Sequence, residues 1–225
     1  MVTVSHLVKK YVEGMPFIHE CMGKKILNYA SVAELLKPGI EKEMEKKIKT
    51  SAIMMALRRY AEDIERKYES GNIMKILSKS EISIRSSLCD ITVFKSGMLF
   101  GKLKNIYNIV DYDKGDILNI VHGNFTVTII VNEAHRKKIL DTLENDKVYH
   151  VERDLAQVSL KFPSEYLYTS GVLHQLTKEL AWNNVNLIEI VSSLTELNFI
   201  VKNKDTVKAY SALENMIERS KEMVK

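Results

Sequence analysis

The chain has 225 residues, 45% of them apolar and 28% charged, with a formal net charge of +4. That is the composition of an ordinary globular protein, long enough for one large or two modest domains. No apolar run approaches the roughly 20 residues that a membrane span needs, so partners in a bilayer are not expected.

The first residues, MVTVSHLVKKYVEG, lack both an uninterrupted apolar core and a small-residue cleavage site. No signal peptide is expected from them, and the expected location is the cytoplasm. Cys21 and Cys89 lie far apart and are read as reduced, buried thiols, which agrees with that compartment. The basic excess is local. Residues 1–80 hold 15 Lys/Arg against 10 Asp/Glu, and residues 81–225 hold 18 against 19.

Residues 1–80 read as a helical domain. Asn28 or Ser31 can cap a helix through Leu36, and Ser31 and Glu34 have capping-box spacing. Pro38 is placed for the first turn of a following helix, where its missing N–H costs nothing. Ile40–Lys47 is short and highly charged. From Thr50, the residues Ile53, Leu57, Tyr60, Ala61, Ile64 and Tyr68 recur on one face of a longer helix that Ser70-Gly71-Asn72 would end. A linker follows, with helical character at Ile73–Leu77.

Near Ser80 the pattern changes to strands alternating with helices. Asp90–Lys95 reads as a strand, Leu99–Val110 as a helix, and Ile117–Val121 and Phe125–Val131 as strands joined by His122-Gly123-Asn124, whose glycine is available for positive φ. Ala134–Leu143 is the next helix and Lys147–Glu152 a strand. The order then repeats: strand Val158–Phe162, helix Gly171–Ala181, strands Leu187–Val191 and Leu197–Val201, helix Thr206–Ile217. Two copies of one β-α-β-β-α unit, about 70 residues apart, are expected at 81–153 and 154–225. The second lacks a final strand, since Glu218–Lys225 is polar and helix-like. Either its sheet is shorter, or a strand from the other copy or from another chain completes it.

The stretch Thr169–Leu213 is the most specific. Ser170-Gly171-Val172 opens a helix, Asn184-Val185-Asn186 precedes a strand, and Thr195-Glu196 leads into the next. This pattern resembles the ACT domain, the small amino-acid-sensing module, and in particular the ACT pair at the C-terminus of aspartate kinases. Counting the weaker first copy, the resemblance covers roughly residues 85–220. It implies an α+β fold of two ferredoxin-like units, a sensor without the kinase domain, and a homo-oligomer, dimer or higher. In ACT pairs that bind amino acids, the turn and the Asn-containing segment hold the effector, often across an interface between two units. The resemblance therefore points to Ser170, Gly171, Val172, Asn184, Asn186 and Leu187, although Ser170 stands where proline is usual. Physical chemistry points to the same turn. The first N–H groups of a helix lack intrahelical partners, and the helix dipole adds positive potential that favours a carboxylate.

The helical domain offers two further classes of partner, protein or nucleic acid. A helix-turn-helix would present Arg58 and Arg59 on the Thr50 helix to DNA, making the chain a ligand-responsive regulator. Arg59, Glu62 and Arg66 equally suit intrahelical ion pairs. No cofactor and no catalysis are expected. The six histidines are scattered, with His122 and His135 flanking one strand without a third ligand, and Walker A, GxSxG, HExxH and dinucleotide fingerprints are absent from the sequence.

Overall fold

A computed structural model describes residues 3–68 and 72–224, and the chain divides into two compact units, Met1–Gly71 and Asn72–Lys225. Among its described residues the first holds four helices: α1 (Val4–Glu13), α2 (Pro16–Gly23), α3 (Tyr29–Met44) and α4 (Thr50–Tyr68). Their apolar stripes meet in one cluster, in which Leu7, Val8, Val12, Ile40, Ile53 and Leu57 are almost wholly buried. Of the two candidate caps for α3, Asn28 is the one used, its side chain accepting from the N–H groups of Ala30 and Ser31.

Pro38 does not open a new helix. It lies inside α3, which runs unbroken to Met44. Inside a helix a proline loses one backbone bond, and the turn after it packs closely on α1. A Cβ on Gly39 would come within 2.6 Å of the Tyr11 hydroxyl, and that hydroxyl donates to Glu43 Oε1 at 2.9 Å. Lys10 donates to the same carboxylate at 2.8 Å. The expected end of α4 at Ser70-Gly71 lies outside the described residues.

The second unit begins with α5 (Asn72–Ser78), then β1 (Glu81–Phe94), α6 (Gly97–Tyr107), β2 (Leu118–His122), β3 (Thr126–Asn132), α7 (Arg136–Thr142) and β4 (Val148–Lys161). It continues with α8 (Val172–Trp182), β5 (Leu187–Ser192), β6 (Glu196–Lys202) and α9 (Thr206–Val224). The six strands form one antiparallel sheet in the order β2-β3-β1-β4-β6-β5. The strands expected at Lys147–Glu152 and Val158–Phe162 are one strand, and the strand expected from Asp90 starts nine residues earlier, at Glu81.

These two 14-residue strands serve both copies. The C-terminal part of β1 pairs with β3 and with the start of β4, while its first residues, Glu81–Arg85, pair with Lys161–Gln157. That segment supplies the final strand that the second copy's own sequence lacks, so the copies are intertwined within one chain. The β1–β4 register breaks around Ser87 and Asp154, both left-handed with φ of 61° and 59°. Such bulges bend and twist a sheet. Gly123 closes its hairpin by donating its N–H to the Thr126 carbonyl and does not take up positive φ.

Each half-sheet buries one face under helices. Ile91, Val93, Ile129 and Val131 pack with Leu99 and Leu103 of α6. Val158, Leu160, Phe199 and Val201 pack with Leu176 of α8, Leu213 of α9 and Leu77 of α5. The other faces meet each other. Asn119 Nδ2 on β2 donates to Gln157 Oε1 on β4 at 3.4 Å, although β4 is three positions away in the sheet, about 14 Å if the sheet were flat. The sheet therefore folds over at its bulges and traps Leu88, Ile130, Leu155 and Ile200 in a seam.

Candidate effector site at the α8 turn

The chain reaches α8 through a tight loop. Pro163 leads into a 3-10 turn at Ser164–Tyr168, Tyr166 stacks on Phe162 with ring centroids 4.2 Å apart, and Thr169 Oγ1 donates to the Glu165 carbonyl at 3.0 Å. Gly171 then takes φ of 89° as the residue preceding the helix, and no side chain caps the helix there. A Cβ at Gly171 would lie 3.3 Å from Ile73 Cδ1, so both the dihedral and the packing call for glycine.

The Val172 side chain is 1% exposed and belongs to the core; only its backbone N–H is available to the turn. The first N–H groups of α8 have no helical carbonyl to reach and stand beside a cavity of about 200 Å³ lined by Tyr166, Leu167, Thr169, Gly171, Ser192 and Ser193. Ser170 is exposed in this turn. Ser192 and Ser193 were not singled out from sequence. The signal for them is topological, since β5 runs antiparallel to β6 and its end returns to the start of α8.

The asparagines lie at the other end of α8. Asn184 has φ of 52°; its N–H reaches the Ala181 carbonyl and that of Val185 reaches Leu180, both at 3.0 Å. This is a Schellman cap with asparagine in the left-handed position, closed by apolar contact between Val185 and Leu180. Asn186 is exposed and Leu187 half-buried. Eleven helical residues separate them from Gly171 by about 16 Å. One chain thus brings Gly171 and Ser192–Ser193 together, but not Asn184 and Asn186 with them.

The equivalent turn of the first copy is filled from within. Ser96 caps α6, accepting from the Leu99 N–H at 3.0 Å and donating to Asp146 Oδ1 at 3.0 Å. Lys102 donates to the other oxygen of that carboxylate at 2.7 Å. Anionic charge is therefore already present at this helix start.

No histidine cluster forms. His122 stacks on Phe100 at 5.9 Å, and His135 Nε2 meets Asp116 Oδ2 at 2.6 Å. That contact, together with the Asp111 N–H, which is the larger cause, keeps the Asp116 carboxyl below its ordinary value. Among the described residues no group of three or more His, Cys, Asp or Glu side chains is placed to hold a metal, and no helix is long and apolar enough to cross a membrane. Both cysteines are free, and burial pushes the Cys89 thiol up to about 12, which leaves it unreactive. Arg58 and Arg59 are exposed on α4, but exposed Glu62 and Asp63 follow one turn later. That surface is mixed in sign.

No protein-family model matches the sequence, and no curated protein matches it. Solved structures do. The aspartate kinase of Synechocystis superimposes with a TM-score of 0.52 at 15% identity, over 61% of this chain and 26% of that one. The aspartate kinase of Clostridium acetobutylicum gives 0.51 at 18% identity, over 60% of this chain and 34% of that one. The aspartokinase alpha and beta subunits give 0.50 at 17% identity, over 61% of this chain and 97% of that one. This chain thus spans only about a third of the Clostridium enzyme's length. What is shared at these identities is the fold, and over about 60% of its length the chain carries the fold of aspartate-kinase structures, as the resemblance to their ACT pair leads one to expect.

Proposed function

We propose that the chain is a non-catalytic regulatory protein that senses a small metabolite, an amino acid, at the α8 turn. The observation that carries this is the contrast between the two helix starts. The first copy's is capped by Ser96 and faced by Asp146, whereas the second has no side-chain cap and opens on a cavity. The free N–H groups and helix dipole there take the effector carboxylate, and Ser170, Ser192 and Ser193 surround it with hydroxyls.

The amide groups of Asn184 and Asn186 reach the effector only from a second chain. β5 is an outer strand of the sheet; its Leu187, Ile188 and Val191 pack inward, and Ile190 is exposed. Open edges invite strand pairing. Two β5 strands paired antiparallel across a twofold axis set the start of one beside the end of the other, bringing the partner subunit's Asn186 to the turn of Gly171. The same arrangement gives a partner to side chains left in water at both ends of α8: Trp182, 71% exposed, at one end, and Tyr168, 88% exposed, at the other. Effector binding then stabilises the paired form by its differential affinity. The helical residues of the first unit pass the change on to a partner.

The test pairs sedimentation velocity with isothermal titration against each of the twenty amino acids. One or two should bind and strengthen the dimer, with Asn186→Ala and Ser193→Ala each weakening binding at least tenfold. Equal affinity in both variants, or no amino acid bound, contradicts the proposal.

A further inference from the structure

The seam between the half-sheets carries two matching rows of side chains. In the first half, Asn119 of β2, Ile130 of β3 and Asp90 of β1 stand in register across three strands. In the second, Glu189 of β5, Ile200 of β6 and Gln157 of β4 do the same. Folding at Ser87 and Asp154 lays one row on the other in opposite directions. Ile130 and Ile200 are wholly buried between them, Asn119 bonds Gln157 at one end, and at the other Glu189 comes under the charge of Asp90. The register thus sets two amides, in contact, at one end and two carboxyls, which act on each other by charge, at the other.

At the acid end Asp90 is buried and Glu189 half-buried. Asp90 is 5% exposed, and its Oδ1 accepts from Thr92 Oγ1 at 2.9 Å. Burial raises the Asp90 carboxyl and the Thr92 bond opposes this; His150 lowers it and Glu152 raises it. Burial first and the Asp90 charge second raise Glu189. The other charged neighbours are already engaged. On β4, Glu152 is held down at about 2 by Lys202 of β6 and by His150, and the Arg153 guanidinium is turned to Glu133. β3 brings only Thr128 and Ile130 to this region, and β2 brings Asn119.

We propose that Asp90 and Glu189 form a proton-operated clasp between the two half-sheets. With a proton held between them, the pair closes as Asn119 and Gln157 do. When that proton leaves to solvent, two like charges are left at one end of the seam, one of them buried, and the half-sheets part. β5 is both half of the clasp and the strand that ends at the α8 turn, so the two share one strand. The clasp operates with or without an effector.

The direction of the pH effect is fixed. Both carboxyls are raised in the folded chain, so it holds a proton that the unfolded chain has already lost. The stability this protonated pair provides is complete below the ordinary carboxyl values. It falls as pH rises through them to the raised values, and stays lost above.

The test follows unfolding of the full chain in denaturant by Trp182 fluorescence, from pH 4.5 to 8, in wild type and Glu189→Gln. The wild-type midpoint should fall relative to the variant as pH rises, leaving the variant the more stable at pH 8. Parallel profiles overturn the clasp. Carbon NMR titration of the wild-type side-chain carboxyls is the second measurement and needs no variant. It should find Asp90 or Glu189 titrating above the ordinary carboxylate range, and ordinary midpoints for both overturn the proposal equally.

Discussion

The two helix starts, at Gly97 and at Gly171, hold equivalent places in the repeated β-α-β-β-α order and differ in their chemistry. At the first, Ser96, Asp146 and Lys102 satisfy one another and the helix. At the second, a left-handed glycine starts a helix whose N–H groups no side chain takes. A repeated fold can thus keep one copy as scaffold and leave the other open. The difference lies in one cap and one distant carboxylate rather than in the strands or the core.

The largest effect tests whether the copies are separable at all. Phe199 is wholly buried in the second half, and Phe199→Ala should cost about 3–5 kcal/mol. Because β1 and β4 run through both halves, Trp182 fluorescence and the circular dichroism of the sheet should report one shifted transition. Two transitions would mean that the halves fold independently.

The glycines come next. Gly171→Ala forces a side chain into φ of 89° and should cost about 1–2 kcal/mol. Gly97→Ala meets nothing within 4 Å and should stay within about 0.5 kcal/mol by chemical denaturation. The caps are the sharpest contrast. Ser96→Ala should lose about 1 kcal/mol and leave effector binding intact. Ser170→Ala should hold stability within about 0.5 kcal/mol while weakening binding.

The smallest effect is a change of slope in acid. Glu152, held at about 2 chiefly by its hydrogen bond from Lys202, contributes stability that is present above the ordinary carboxyl value. That stability is lost as pH falls toward 2. Lys202→Met should flatten the acid limb of the stability profile between pH 4.5 and 2, and an unchanged limb would remove this ion pair from the account.

Local signals made α4, the helices of the second unit, both hairpins and the α8 turn legible in the sequence. Ile53, Leu57 and Ile64 repeat at helical spacing, Gly171 marks a break ahead of one, and Leu197–Val201 alternates or runs apolar between turns. What stayed hidden depends on partners far along the chain. Glu81–Arg85 alternates polar and apolar residues over a short span, and its partner Gln157–Lys161 lies more than 70 residues away, so its place in the second half-sheet was not visible locally. Arg153-Asp154 looks like a turn between two strands, yet Asp154 is a bulge inside one. Pro38 reads as a helix start because proline usually is one, and the Tyr11–Gly39 contact overrides it. At the candidate site, Gly171 was legible from its turn. Ser192 and Ser193 were not, because only the antiparallel return of β5 brings them to it. The separation of Asn186 from Gly171 was legible as well, because the helix read at Gly171–Ala181 already stands between them, within one residue of α8 at each end.

The most direct measurement is thermal unfolding of the full chain, followed through Trp182, against the twenty amino acids at millimolar concentration. An effector at about 100 times its dissociation constant adds about 2.7 kcal/mol, a rise of about 5–10 °C for a chain of this size. Such a rise is expected for one or two amino acids, and its loss in Asn186→Ala. A flat panel, or an undiminished shift in that variant, would contradict an effector site shared between the α8 turn of one chain and Asn186 of its partner.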